Sequence, residues 1–184
     1  MMKKKKTRLK RLIAREFVIE WLAAFIDVEW QRQKWCIVEN VGYYYTLEQV
    51  QCYFFHALKI GDFIHHGEPK EATVYGSMYI DNFLYTRQEA DLFYDCCFAL
   101  DDFIEKTMQD YWTKEEELGK ESGTGVPDEE YFNSPYLPKL MDESKKLLEV
   151  MVFNNRKYGN KKYQSIEEID WKGVRHFDVP LIEY

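Results

Sequence analysis

Chemistry in this chain would have to start from few residues. His56, His65, His66 and His176 are its histidines, and Cys36, Cys52, Cys96 and Cys97 its thiols. A di-iron helical bundle requires Glu-x-x-His pairs on facing helices, and the sequence has none. His65-His66-Gly67-Glu68 has donors for a metal, but adjacent histidines in a loop read as polar surface, so no metal is expected. Cys96 and Cys97 are neighbours and point about 100° apart on a helix, too divergent for one tetrahedral ion. Cys52 and His56 stand at i, i+4, the spacing of a thiolate and its base. Their neighbours Tyr53, Phe54 and Phe55 point instead to a buried, inert thiol. None of Ser77, Ser122, Ser134, Ser144 and Ser165 lies in a G-x-S-x-G elbow. Ser122-Gly-Thr-Gly125 lacks the Lys-Ser/Thr of a phosphate loop, and Asp128-Glu129-Glu130 follows it, which opposes anions. No catalytic residue and no cofactor is assigned.

Charge layout is more informative. The 184 residues carry 25 basic and 32 acidic side chains, a net of −7. Eight of the bases fall in residues 1–15 (Lys3 to Lys6, Arg8, Lys10, Arg11 and Arg15), with no acid among them. The remaining 17 bases face all 32 acids, so residues 16–184 carry −15. Such a body repels phosphate backbones and attracts basic partners. Residues 81–130 hold fifteen acids and four bases, a band of −11. Residues 139–163 hold seven bases and three acids, and this +4 segment competes with any external partner for the band.

Within the band, Asp91, Asp95, Asp102 and Glu105 are spaced 4, 7 and 3 apart, one stripe of a helix. Phe98 falls inside that stripe, seven residues from each end. An aromatic flanked by carboxylates has the make-up of an interface anchor with a charged rim. Burial of Phe98 by a second helix, with the acids left as a solvated edge, is the competing reading. The candidate partner-binding residues are therefore Asp91, Asp95, Phe98, Asp102 and Glu105.

The elements that must position these residues are helical. Ile13, Phe17, Trp21, Ala24 and Val28 recur at helical spacing, with Val18, Leu22 and Phe25 beside them, over about Thr7–Lys34. Glu16, Glu20 and Asp27 form the opposite stripe. So wide an apolar arc predicts a central helix packed on more than one side. A capping box at Thr46-Leu-Glu-Gln49 opens a second helix that stops at Gly61. Another, Thr86-Arg-Gln-Glu89, opens a third, with Ala90, Phe93, Cys97, Leu100, Ile104, Met108 and Tyr111 on its inner face and an end near Leu118. A fourth covers about Lys139–Asn154 and buries Leu140, Leu147, Leu148 and Met151. Ser165-Ile-Glu-Glu168 predicts one short turn. Trp35–Val38, Ala72–Tyr75 and Met78–Ile80 are β-prone.

The expected fold is mainly α, a single-domain packing of four to five helices, with a small β-hairpin or extended cover between helices two and three. Length and an aromatic content of 17% support a core without disulfides, burying about 70% of the unfolded surface. Residues 1–6 are expected as a disordered basic tail, 7–184 as one helical domain, and about 119–138, with Gly119, Gly123, Gly125, Pro127, Pro135 and Pro138, as a mobile loop. Glu16 and Glu20 interrupt the apolar stretch that follows the N-terminal lysines, so neither a signal peptide nor a membrane span is expected. With four unpaired-looking thiols the expected location is cytoplasmic.

The function expected on these grounds is an acidic binding or inhibitor protein that masks a basic macromolecular partner. An immunity protein facing a nuclease toxin, or an inhibitor of a nucleic-acid-handling effector, has this design. Two alternatives stand beside it. One is a helical enzyme that binds a small molecule or metal in an aromatic pocket near Tyr43-Tyr-Tyr45 and Tyr75–Tyr85. The other is a nucleic-acid regulator using the basic N-terminus, which the −15 body disfavours. Trp30 and Trp35, or Tyr43 to Tyr45, fit either core or a homodimer seam.

Overall fold

A computed structural model describes residues 8–35, 78–120 and 125–170. The helix expected at Thr46–Gly61, the Ala72–Tyr75 piece, all four histidines, Cys36, Cys52 and the tail at residues 1–6 lie outside the described residues. Within them the chain is mainly helical: α1 (Leu12–Ile26), α2 (Val28–Trp35), α3 (Arg87–Glu117), α4 (Asp128–Phe132) and α5 (Leu137–Tyr158), then a 3-10 turn at Ile166–Glu168. No described helix is long and apolar enough to cross a membrane. α5 packs against both α1 and α3, so these three helices form the centre.

The N-terminal helix is two helices. The N–H groups of Lys10 and Arg11 bond the carbonyls of Asp81 and Asn82 at 3.1 and 2.9 Å, which delays the start of α1 to Leu12. Asp27 then breaks the run: its Oδ1 accepts from the Trp30 N–H at 3.0 Å, capping α2 as α1 ends. Gln31 reaches back to the Ala24 carbonyl at 2.7 Å, a second donor beside the Asp27 N–H at 3.2 Å, and so ties α2 to the end of α1. From Ala14 to Phe25 every side chain except Glu16 and Glu20 is buried, as a central helix requires. Ile13, placed on the inner stripe by periodicity, is 61% exposed because it sits in the first turn, beyond the packed centre.

The capping box that opens the third predicted helix forms, with a twist. Thr86 Oγ1 accepts from the Glu89 N–H at 3.1 Å. The Glu89 carboxylate bypasses Thr86 and takes the N–H of Tyr85 at 2.5 Å. Ser165–Glu168 repeats the shift, with Glu168 bonding the Gln164 N–H at 2.9 Å. α3 runs unbroken to Glu117, and Gly119 adopts φ +71° beyond it. Its predicted inner face is buried from Ala90 to Ile104, with Met108 and Tyr111 packed against the core.

No strand is present among the described residues, and Met78–Ile80 does not form a hairpin arm. Tyr79 instead offers its carbonyl to the N–H groups of Asn82, Phe83 and Leu84, making a tight turn with Asp81 at φ +64°. Only an isolated bridge joins Ile80 to Leu84. Trp35 closes α2 rather than starting a strand. The 119–138 stretch also differs from a plain loop over its second half. Val126, Tyr131, Phe132 and Leu137 are buried, and α4 lies inside it. Thr107 Oγ1 and Ser134 Oγ, 2.6 Å apart, tie that segment to α3. α5 extends a turn past the expected end, to the left-handed Gly159, because Asn154 and Asn155 find buried partners.

Those partners are the centre of the fold. Arg15 is fully buried, and all five of its N–H groups are used. Nη1 bonds Glu89 Oε2 and the Phe83 carbonyl, Nη2 bonds Glu89 Oε1 and the Met151 carbonyl, and Nε bonds Asn155 Oδ1, all at 2.7–3.0 Å. Tyr85 covers the guanidinium at 4.3 Å. Glu89, equally buried, also accepts from Asn154 Nδ2 at 3.1 Å. Asn155 Nδ2 donates to the carbonyls of Lys162 and Tyr163. One ion pair thus fixes α1, α3, α5 and the segment after α5. Arg15, counted by sequence with the basic N-terminus, is a core residue.

Candidate functional site

Because α3 is continuous, its five candidate residues keep helical register. Asp91, Asp95, Phe98, Asp102 and Glu105 fall within about 80° of arc along roughly 21 Å of helix. The core-facing residues Phe93, Cys97 and Leu100 lie on the other side. Phe98 is 43% exposed, so the reading in which a second helix buries it does not hold. Tyr94, one turn before, tilts towards it with ring centroids 6.1 Å apart.

The acids do not share one environment. Asp91 accepts from Arg87 Nε at 2.8 Å, an exposed pair on the same helix. Asp95 stands near Glu143 of α5 as well as Asp91; burial, then these two carboxylates, push its carboxyl above the usual range. Lys146 and Lys139 oppose that rise. Asp102 is held from both sides, by Lys106 at 3.0 Å and by Lys139 of α5 at 3.2 Å. Burial pulls its carboxyl upward, but these hydrogen bonds prevail and hold it below its ordinary value. The Lys139 ammonium also lies 5.5 Å from the Phe98 ring centroid. Glu105 is exposed at the C-terminal end of the stripe.

The +4 segment therefore neutralises the band only in part. Lys139 reaches Asp102, whereas Lys146 binds Asp142 and Glu143 on its own helix at 2.6 and 3.0 Å. Lys162 turns to α1 and bonds Glu16 at 2.9 Å, with Glu20 3.6 Å away. Tyr163, at φ +54°, donates to Glu20; burial, reinforced by that carboxylate, pushes its phenol up to about 12. Further acids of the band are paired from outside it or within it: Glu129 with Arg32 and Asp110 with the Tyr136 hydroxyl, Glu130 with Lys114 and Glu115 with Lys120.

Glu143, Lys139 and Tyr94 belong to this face and were not singled out from sequence. The usable signal was the lysine-rich start of the fourth helix, whose register against α3 depends on packing. The face is suited to holding cations through carboxylates and an aromatic ring.

Among the described residues no group of three His, Cys, Asp or Glu side chains is placed to hold a metal ion. Cys96 and Cys97 are buried free thiols on the inner side of α3. Burial, opposed by the Ser144 contact at 3.5 Å, raises the Cys96 thiol to about 12, and burial pushes Cys97 well up too. The thiolate is the reactive form. In a Cys36→Ser/Cys52→Ser variant, a disulfide reagent at mildly alkaline pH is expected to leave both thiols unmodified in the native state. Both should react once denaturant unfolds the chain, as read by thiol release and mass.

Comparison of the chain with protein-family models, with curated proteins and with solved structures finds no match.

Proposed function

We propose that the protein is an acidic, helical binding protein that uses the outer face of α3 to mask a basic macromolecular partner in the cytoplasm. The observation that carries this reading is the exposure of Phe98 between carboxylates on an otherwise polar helix face. A large aromatic in that position loses apolar contact with water only when a partner covers it. Its charged rim would speed encounter with a cationic surface and compete for sites that otherwise hold phosphates. An immunity protein against a nuclease toxin, or an inhibitor of a nucleic-acid-handling effector, fits this chemistry.

The test is charge reversal at the exposed end of the stripe, Asp91→Lys with Asp95→Lys. Asp102 is left intact because it links α3 to α5. Affinity capture from host lysate, followed at low salt by titration of the purified partner, is expected to show binding at least tenfold weaker. The circular dichroism spectrum should not change. Unaltered affinity at low salt would remove the reading.

A further inference from the structure

We propose that Lys139 is an internal stand-in for a partner's arginine, seated in a preformed cation site made by the Phe98 ring and the Asp102 carboxylate. This rests on the reading of the α3 face given above and names the group that face recognises.

Three observations place the site. Phe98 and Asp102 are i and i+4 on α3, so ring and carboxylate are adjacent along one face. The Lys139 ammonium engages both at once, 5.5 Å from the ring centroid and 3.2 Å from Asp102 Oδ2. Phe98 as a residue nevertheless stays 43% exposed, and the Lys139 side chain 54%, so the stand-in covers only part of the site.

An exposed ammonium is a weak holder of such a site. It is a compact, strongly hydrated point charge on a flexible stem, and exposed ion pairs gain little against side-chain entropy and salt. A guanidinium is planar and more weakly hydrated, stacks on an aromatic face and offers a fork to carboxylates. Asp95 lies one turn before Phe98 and Asp91 two turns before it, and with Glu143 of α5 they add negative charge beside the site, although Arg87 and Lys146 pair with Asp91 and Glu143. An entering arginine displaces Lys139 and covers the ring. Lys139 thereby acts as a gate that lowers the apparent affinity for any cation too weak to displace it.

The probe is a fluorescently labelled nona-arginine peptide, with nona-lysine as comparison, titrated by anisotropy into the full chain at low ionic strength. Lys139→Met is expected to bind nona-arginine about three- to tenfold more tightly than the parent. Lys145→Met, which removes the same charge elsewhere on α5, should change affinity less than about twofold. Phe98→Leu should erase the preference for arginine over lysine. Thermal melts of each variant establish that it is folded. If Lys139→Met gains no more than Lys145→Met while Asp91→Lys/Asp95→Lys still weakens binding, the acidic face stands and the stand-in role is overturned. If the double reversal leaves nona-arginine binding unchanged, the face itself is wrong and the stand-in role falls with it.

Discussion

Arg15→Met is expected to lower the unfolding free energy by about 3–5 kcal/mol, read from urea denaturation followed by circular dichroism. The side chain is replaced by an apolar one of similar volume, so a cavity is not the main part of the loss. What remains is the Glu89 carboxylate, fully buried, with both oxygens stripped of their guanidinium donors. The carbonyls of Phe83 and Met151 and the Asn155 amide lose partners at the same time. Glu89→Leu is expected to be severe for the mirrored reason, an unpaired buried cation. The double variant Arg15→Met/Glu89→Leu should be more stable than either single one, because two apolar side chains leave no buried charge. Additive losses in this cycle would mean that the two residues act separately. Lysine at position 15 is not a conservative change here, since a point charge cannot reproduce five donors in a planar fork.

The second large effect sets two phenylalanines of α3 against each other. Phe93→Ala is expected to cost about 3–5 kcal/mol, whereas Phe98→Ala should shift stability by less than about 1 kcal/mol. Phe93 is fully buried and meets Phe83 edge-on at 5.3 Å and Tyr79 at 5.9 Å, so its removal opens a cavity where the 79–84 turn docks. Phe98 is five residues further on and faces outward. The order should invert in partner binding. Phe98→Ala is expected to weaken binding by tenfold or more, as a central aromatic anchor does. Phe93→Ala should matter only as far as it unfolds the chain. Parallel denaturation and titration experiments on the two variants separate a core role from a surface role on one helix. A stability loss at Phe98 as large as that at Phe93 would show that the ring is structural.

This pair also separates what helical register alone dictates from what packing adds. Periodicity assigned Phe93 to the inner face and put Phe98 in register with Asp91, Asp95, Asp102 and Glu105, because a helix repeats every 3.6 residues whatever lies against it. Thr86 and Gly119 bounded α3 correctly, since a cap and a left-handed stop are properties of a few adjacent residues. Asp27 was within the same reach, as a capping residue three before Trp30, but the apolar run around it was read as continuous. Whether Phe98 was covered did not follow from register, because that depends on which other helix passes over it.

Sequence alone determined that the described residues are mainly helical, where α3 lies, which residues share its outer stripe, and that the charge is divided into opposing blocks. These are consequences of local backbone preference and of spacing along one helix. Tertiary structure decided the rest. Arg15 and Glu89 stand 74 residues apart, and each looks like a solvated surface charge until packing takes both out of water together. Lys139 was one base in a segment of +4 until the packing of α5 on α3 set its ammonium on Asp102 and Phe98, while Lys162 went to Glu16 on α1. Charge blocks attract over many ångströms without choosing partners; the choice is made by side-chain contacts of a few ångströms, which exist only once the helices have packed.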